Sequence, residues 1–412
     1  MNLLKTSFYT SISTAISFVS GFIVTKVVAV KIGPVGMAYL GQFQNTTAIL
    51  AMVATGAITT GVIKYLAEHR EDPGKTRQII NTAFVIVLCC SFIVSLFVMT
   101  ASGLLSKASF KTPGFWLVYF LFGLFTMAVS FNAMFSAILN GMKEIRKFTI
   151  VNIISSLANI AITIVFSYYF GVVGVLVSGS ALSIIVLAVN IYLFNMTGIS
   201  WKPDLRSWDK PVVKMLLSFS LMAMISGFLV PAMQILVRNK IINQISLDAA
   251  GYWQAVSKIS DYYLAFITTV LGVYYLPRLS ELKNKEELRA EVLKGYSVVL
   301  PVIGGLALAI WLLKDLIIHV LFTPAFLPMK PLFTYQLLGD FFKIGSWLLA
   351  YLMLAKALVK RYIITELVFA ASYIILSYYF IDLYGVVGAT YSFCLNYCLY
   401  WIAMVFLIKR EL

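Results

Sequence analysis

The chain has 412 residues, of which 61% are apolar and 12% charged, with a formal net charge of +15. Soluble domains carry about 25% charged residues, so the composition excludes a water-exposed globule. The basic residues fall in short clusters between apolar runs, which suits anionic headgroups and membrane orientation and argues against a nucleic-acid partner.

The first apolar run follows Lys5 and is longer than the roughly 7 to 15 residues of a secretory signal core. It also lacks a small-residue cleavage site, so it is expected to be an uncleaved first span. A span needs about 20 mostly apolar residues. Twelve such runs occur in chain order, at 6–30, 38–63, 79–103, 115–141, 148–169, 172–197, 212–237, 250–276, 290–313, 332–355, 361–381 and 385–408. Turn signals separate them, among them Gly33-Pro34, Pro73-Gly74, Pro113-Gly114, Gly171, Pro211, Pro324 and Gly385. The termini and even-numbered loops hold 22 Lys and Arg, including Lys202, Arg206, Lys283 and Arg410, against seven in the odd-numbered loops. The positive-inside rule therefore predicts two cytoplasmic termini, and an even number of spans agrees.

The sequence also repeats. SYYFGVVGVLVS at 167–178 reads like SYYFIDLYGVVGATYS at 377–392, with Gly-Val-Val-Gly recurring 214 residues later. GVIKYLAEHRED from Gly61 resembles GVYYLPRLSELK from Gly272, at an offset of 211. The expected fold is an all-α polytopic membrane protein with twelve transmembrane helices in two six-helix pseudo-repeats around a central cavity. Its parts would be an N-terminal lobe at 1–200, a cytoplasmic linker at 201–211 and a C-terminal lobe at 212–412. Halves with six spans each enter from the same side, which makes them parallel repeats of the kind that rock around a midplane site.

Ionisable residues deep in a span cost a few kcal/mol and mark functional interiors. Lys26, Lys258 and Lys343, with Arg238 at the rim, could form a cationic cavity for an anionic headgroup, and Lys64 and Lys356 near span ends could join them. Asp261, Asp340 and Glu366 are candidate coupling carboxylates, all in the second half. Lys258 and Asp261, and Asp340 and Lys343, are spaced i, i+3, which sets each pair on one helix face, where mutual neutralisation is the plainer role. The first half offers neutral groups instead, namely Gln42, Gln44, Asn45, Asn132, Asn152 and Asn159, most of which should tie helices together. Catalytic and metal residues are expected to be absent. No G-x-S-x-G, P-loop or dinucleotide motif occurs, two histidines cannot build a Cys/His site, and Cys89, Cys90, Cys394 and Cys398 should be buried small hydrophobes.

The stretches KVVAVKIGPVGMAYLGQFQNTTAIL, GVIKYLAEHRED, GYWQAVSKISDYYLAFITTVLGVYYLPRLSEL, YQLLGDFFKIGSWLLAYLMLAKA and RYIITELVFAASY, in this order, resemble the Wzx-type flippases of the multidrug/oligosaccharidyl-lipid/polysaccharide exporter superfamily. The likeness is greatest to the branch handling lipid-linked units of enterobacterial common antigen and O-antigen. It implies a bacterial inner-membrane flippase carrying undecaprenyl-diphosphate-linked oligosaccharide to the periplasmic leaflet by alternating access, with a cationic cavity between lobes and no bond made or broken. Lys26, Arg238, Asp261, Asp340, Lys343, Lys356 and Glu366 stand in the matching stretches, and Lys258 does too, although the resemblance does not imply a lysine there. Membrane lipids are implied partners, H⁺ or Na⁺ would be the coupling ion in place of a cofactor, and association with a glycan polymerase or chain-length regulator is left open. The alternative is a cation-coupled multidrug exporter of the same superfamily, against which the three intramembrane lysines argue.

Overall fold

The computed structural model describes residues 3–409 except 200, 202, 206, 207, 283 and 357, so Lys202, Arg206, Lys283 and Arg410 of the orientation count lie outside the described residues. All regular structure among the described residues is helical. The chain divides into two compact units, the first Met1–Ile32 with Tyr39–Ala232, the second Gly33–Ala38 with Met233–Leu412.

The first unit holds α1 (Leu3–Ala54, apart from its Gly33–Ala38 segment), α2 (Thr59–Glu68), α3 (Pro73–Thr100), α4 (Ser102–Phe110), α5 (Trp116–Gly141), α6 (Ile145–Asn195) and the start of α7 (Lys210–Gln244). Local chemistry sets the starts: Asp72 accepts the Lys75 amide at 3.0 Å, with Pro73 in the first helical position. At 52 and 51 residues, α1 and α6 would each be about 77 Å long if straight, against about 30 Å of hydrocarbon. Both break instead, at Gly33 (φ 73°, ψ −164°) and Gly171 (φ 54°, ψ −130°). At Gly171 the chain folds back: the Thr163 hydroxyl donates to Ser178 Oγ, 15 residues on, at 3.3 Å, where unbroken helix would separate them by about 22 Å. Positive φ is cheap only for glycine. Three residues later, a Cβ on Gly174 would stand 2.0 Å from the Phe166 carbonyl oxygen, so glycine is also what lets the two arms touch.

Helix α5 packs against α3 and α6, and Val62, Leu66, Ile79, Ile80, Val87, Met134 and Ile138 form an apolar core. The segment after α6 is strapped to α3. The Asn81 side chain donates to the Asp204 carbonyl at 2.6 Å and accepts the Asp204 amide at 3.0 Å, and Thr82 Oγ1 accepts the Asp209 amide at 3.2 Å. Trp201 seats its ring 5.4 Å from Phe84 and 5.8 Å from Phe194.

The second unit continues α7 and adds α8 (Leu247–Val270), a π-helical turn at Leu271–Tyr275, α9 (Leu276–Glu281), α10 (Lys285–Leu312), α11 (Lys314–Leu321), α12 (Leu332–Ala355), α13 (Val359–Tyr384) and α14 (Val386–Ile408). Helix α12 is its centre, packed against α14, α10 and α8 around Ile344, Leu348, Leu352, Met353 and Met404. Between α13 and α14 lies Gly385 (φ 61°, ψ −144°), with the Ser377 and Ser392 hydroxyls 2.9 Å apart across the turn. A Cβ on Gly388 would again stand 2.0 Å from a carbonyl oxygen, that of Phe380. The recurrent Gly-Val-Val-Gly thus marks one hairpin built twice.

Eight helical stretches among the described residues are long and apolar enough to cross a membrane: Ile12–Ala54, Pro73–Thr100, Pro113–Gly141, Ile145–Asn195, Lys285–Leu312, Leu332–Ala355, Val359–Tyr384 and Val386–Ile408. The chain is a multi-pass membrane protein. The count is lower than the twelve runs read from sequence because 12–54 and 145–195 each contain two of those runs, while α7 and α8 are not among the eight. Polar residues explain α8, which carries Asp248, Lys258 and Asp261. Large apolar side chains point outward, as lipid requires: Phe92, Ile93, Leu96 and Phe97 are all more than half exposed. On that same helix Cys89 is exposed rather than buried, because its face belongs to the lipid side, and Cys90, Cys394 and Cys398 are only partly buried.

Candidate functional site

The second unit gathers most of the intramembrane charges. Asp340 on α12 has no exposed surface. Its Oδ2 accepts from Ser260 Oγ and Tyr263 Oη, each at 2.6 Å, and its Oδ1 accepts from Gln336 Nε2 at 3.3 Å. Burying a carboxylate requires such partners, and α8 and α12 supply all three. One turn on, the Lys343 ammonium lies 4.9, 5.6 and 5.8 Å from the ring centroids of Trp347, Tyr397 and Phe393, a cation–π setting that holds a charge without a carboxylate in contact. Lys343 interacts electrostatically with Asp340 and with Glu366 on α13, and Glu366 accepts from Tyr400 Oη at 2.9 Å.

Arg238 on α7 is also fully buried. It donates to Gln254 Oε1, lies 5.3 Å over the Trp253 ring and interacts electrostatically with Asp261 and Tyr373. On α8, Lys258 and Asp261 pair at 3.9 Å, with side chains 24% and 50% exposed, so this pair borders open space. Arg238, Lys258, Asp261, Asp340, Lys343 and Glu366 therefore form one connected set on four helices, to which α14 lends its aromatic residues.

Other expected residues stand elsewhere. Lys356 donates to the Leu282 carbonyl just beyond α9, which ties the ends of two helices. Lys64 is exposed in the first unit, 4.9 Å over the Tyr65 ring. Lys26, also in the first unit, lines a recess of about 480 Å³ together with Lys31 and Tyr168. In the first unit neutral groups join the helices: Asn132 donates to the Ser183 carbonyl at 2.6 Å and accepts from Asn190 at 3.0 Å, clamping α5 to α6. Sequence reasoning missed Gln254, Ser260, Gln336, Tyr397 and Tyr400. Gln336, one turn before Asp340, and Ser260, beside Asp261, were within reach of a face argument; the α14 tyrosines carry no local signal. No group of three or more His, Cys, Asp or Glu among the described residues could hold a metal ion.

An all-helical chain with a lipid-facing exterior and a charged interior set defines a polytopic transport protein. The fold is similar to that of a multidrug resistance MATE family transporter of the MOP superfamily solved in an inward-facing conformation, with a TM-score of 0.81 and 13% identity over 96% of this chain and 94% of that one. The family model described as "Polysaccharide biosynthesis protein" matches residues 3–283. Over 415 residues, spanning 100% of both chains, the sequence is 31% identical to the Lipid III flippase of Escherichia coli (strain K12), and the same values hold for the Lipid III flippase of Shigella flexneri. The chain belongs to the polysaccharide biosynthesis protein family, and it is a transporter rather than an enzyme.

Proposed function

We propose that the chain is a flippase that moves undecaprenyl-diphosphate-linked oligosaccharide, an O-antigen or common-antigen repeat unit, from the cytoplasmic to the periplasmic leaflet of the bacterial inner membrane. The observation that carries this reading is the connected set Arg238, Lys258, Asp261, Asp340, Lys343 and Glu366 within membrane helices. A sugar diphosphate cannot cross hydrocarbon unaided, so its carrier must offer cations in a polar interior while the polyprenyl chain stays in lipid. Full-length similarity to Lipid III flippases supports the substrate class.

In this reading twelve helices form two six-helix lobes, at 1–200 and 212–412, joined by the cytoplasmic linker 201–211, with both termini in the cytoplasm. Lys26, Arg238, Lys258, Lys343, Lys64 and Lys356 serve the anionic headgroup. Asp261, Asp340 and Glu366 couple transport to H⁺ or Na⁺: Asp340 and Glu366 are held by neutral donors and can exchange a cation without losing their place, and Asp261, paired with Lys258, can exchange that partner for an entering cation. Alternating access exposes the site to each side in turn. Glycan polymerase and chain-length proteins are the partners that would take up the flipped unit.

The test is deletion of the gene in its host, with mass spectrometry of polyprenyl-diphosphate lipids and analysis of surface glycan. Accumulated lipid-linked repeat units with lost or shortened glycan are expected, and the mass of the stalled unit names the substrate. Unchanged lipids and glycan, with new sensitivity to cationic dyes, would overturn the reading in favour of drug export.

A further inference from the structure

Two intramembrane amides of the first unit, Gln44 and Asn159, join no helices among the described residues. Gln44, on the second arm of α1, is exposed. With Asn159 and Ser180, one on each arm of α6, it lines a recess of about 310 Å³ whose wall includes the buried rings of Phe43 and Phe122. Asn159 Oδ1 lies 3.4 Å from the Thr163 hydroxyl on its own helix, which leaves the Nδ2 donors without a partner among the described residues. Ser180 is only 5% exposed, yet its hydroxyl likewise has no partner there. A second recess, of about 400 Å³, shares Ala48, Ala51 and Val129 with the first and adds the hydroxyls of Thr59 and Thr60, where α1 gives way to α2. Among the described residues no charged side chain lines either recess.

The second unit treats the same place differently. Beyond the hairpin glycines the two copies run in register at an offset of 214, so Gly179 corresponds to Phe393 and Ser180 to Cys394. The Phe393 ring packs so closely on α12 that a Cβ at Gly339 would overlap it, and it stacks edge-on against Tyr397 at 4.8 Å. A Cβ on Gly179 would meet nothing within 4 Å. The first unit thus leaves open, and lines with hydrogen-bonding groups, a space that the second occupies with a ring.

We propose that this neutral trough of the first unit binds the glycan of the lipid-linked substrate, with sugar hydroxyls meeting Gln44, Asn159 and Ser180. The inference rests on the flippase reading and gives the glycan a site of its own, apart from the charged set. Amides and hydroxyls both donate and accept, as sugar hydroxyls do. The lack of charge selects against an anion, and the open N–H donors of Asn159 turn away a metal cation. A polar side chain left without a partner inside a membrane is costly, so three that converge on one recess call for a polar occupant. Each recess has the size of a small-molecule site, about 300–1,000 Å³, and joined they accept more than one sugar ring.

The test is native mass spectrometry of the full-length protein with two probes, undecaprenyl diphosphate and the undecaprenyl-diphosphate-linked oligosaccharide extracted from host membranes. The wild type should retain the oligosaccharide-bearing lipid about tenfold more tightly, the worth of one or two net hydrogen bonds. Gly179→Phe puts the second unit's residue into the open space and should abolish the preference. Asn159→Leu removes the donors at similar size and should reduce it to about threefold. Both variants should hold undecaprenyl diphosphate as the wild type does, which also shows that they are folded. A wild type without the preference, or a preference kept in full by both variants, would overturn the proposal and leave the flippase reading standing. Loss of both lipids from both variants would overturn it too, since the trough would then serve the fold rather than the glycan. A wild type that retains neither lipid would overturn the flippase reading and this inference with it.

Discussion

The hairpins at Gly171 and Gly385 have one construction: a positive-φ glycine, a hydroxyl pair 15 residues apart, and a second glycine three residues on that lies against a carbonyl oxygen. Around this shared frame the units treat polarity differently. The first buries neutral amides, as where Asn190 donates to Asn132 and Asn132 to the Ser183 carbonyl, while the second buries Asp340 and Arg238 outright. The hairpin is present in both units, and the fully buried charges among the described residues sit in one of them. Neutral groups glue helices at modest gain; buried ions are costly and persist where they do something besides hold.

The frame and the chemistry should therefore fail differently. The largest effect is expected at the frame. Gly174→Ala and Gly388→Ala each place a methyl 2.0 Å from a backbone oxygen, beyond the ordinary overpacking cost of about 1–3 kcal/mol. Both variants should lose the folded protein in detergent thermal-shift assays, and to a similar degree. A tolerated Gly174→Ala beside a lethal Gly388→Ala would end the equivalence.

Next comes the chemistry. Asp340→Asn preserves shape but removes the negative acceptor shared by Ser260 and Tyr263, so lipid-linked intermediates should accumulate as in a deletion strain while membrane insertion stays normal. Its counterpart, Asn132→Ser, should cost about 1 kcal/mol of stability through lost amide bonds and leave transport close to wild type. Equal transport loss in the two variants would mean that charge is not what distinguishes the second unit.

The repeat was legible because a hairpin glycine must be glycine: the Gly-Val-Val-Gly match at 171–174 and 385–388 falls on both turns. The charged set was legible as well, since an ion in an apolar run stands out by composition alone. What holds it was not. Trp347 follows Lys343 by one turn, yet Phe393 and Tyr397 arrive from α14, and in a chain with 15% aromatic residues nothing local singles them out. Lys356 stands out by its place near a span end, whereas its hydrogen bond to the Leu282 carbonyl carries no local signal. Any free carbonyl beyond a helix end can recruit a lysine, and sequence does not say which one is near.

The smallest effect separates the units at the connections outside the spans, between α4 and α5 and between α11 and α12. In the first, Ser106 Oγ donates to the Thr112 carbonyl at 2.7 Å and accepts the Phe115 amide at 3.2 Å, with no charge involved. In the second, Lys330 pairs with Asp315 at 2.7 Å. The hydrogen bond from Lys330 holds the Asp315 carboxyl below the usual carboxylate range. A depressed acid stabilises the folded loop above its unfolded pKa, and that contribution disappears as the pH falls through the folded value. Amide hydrogen exchange, corrected for its intrinsic pH dependence, should therefore show residues 314–330 opening slightly as the solution is acidified, while 102–115 keep their protection. Asp315→Asn should abolish the pH response with at most a few-fold change at neutral pH, because the pair is solvent-exposed. Ser106→Ala should open 102–115 by about 1 kcal/mol at every pH. Acid-sensitive exchange in both segments would show that the contrast between a neutral and a charged unit stops at the membrane surface.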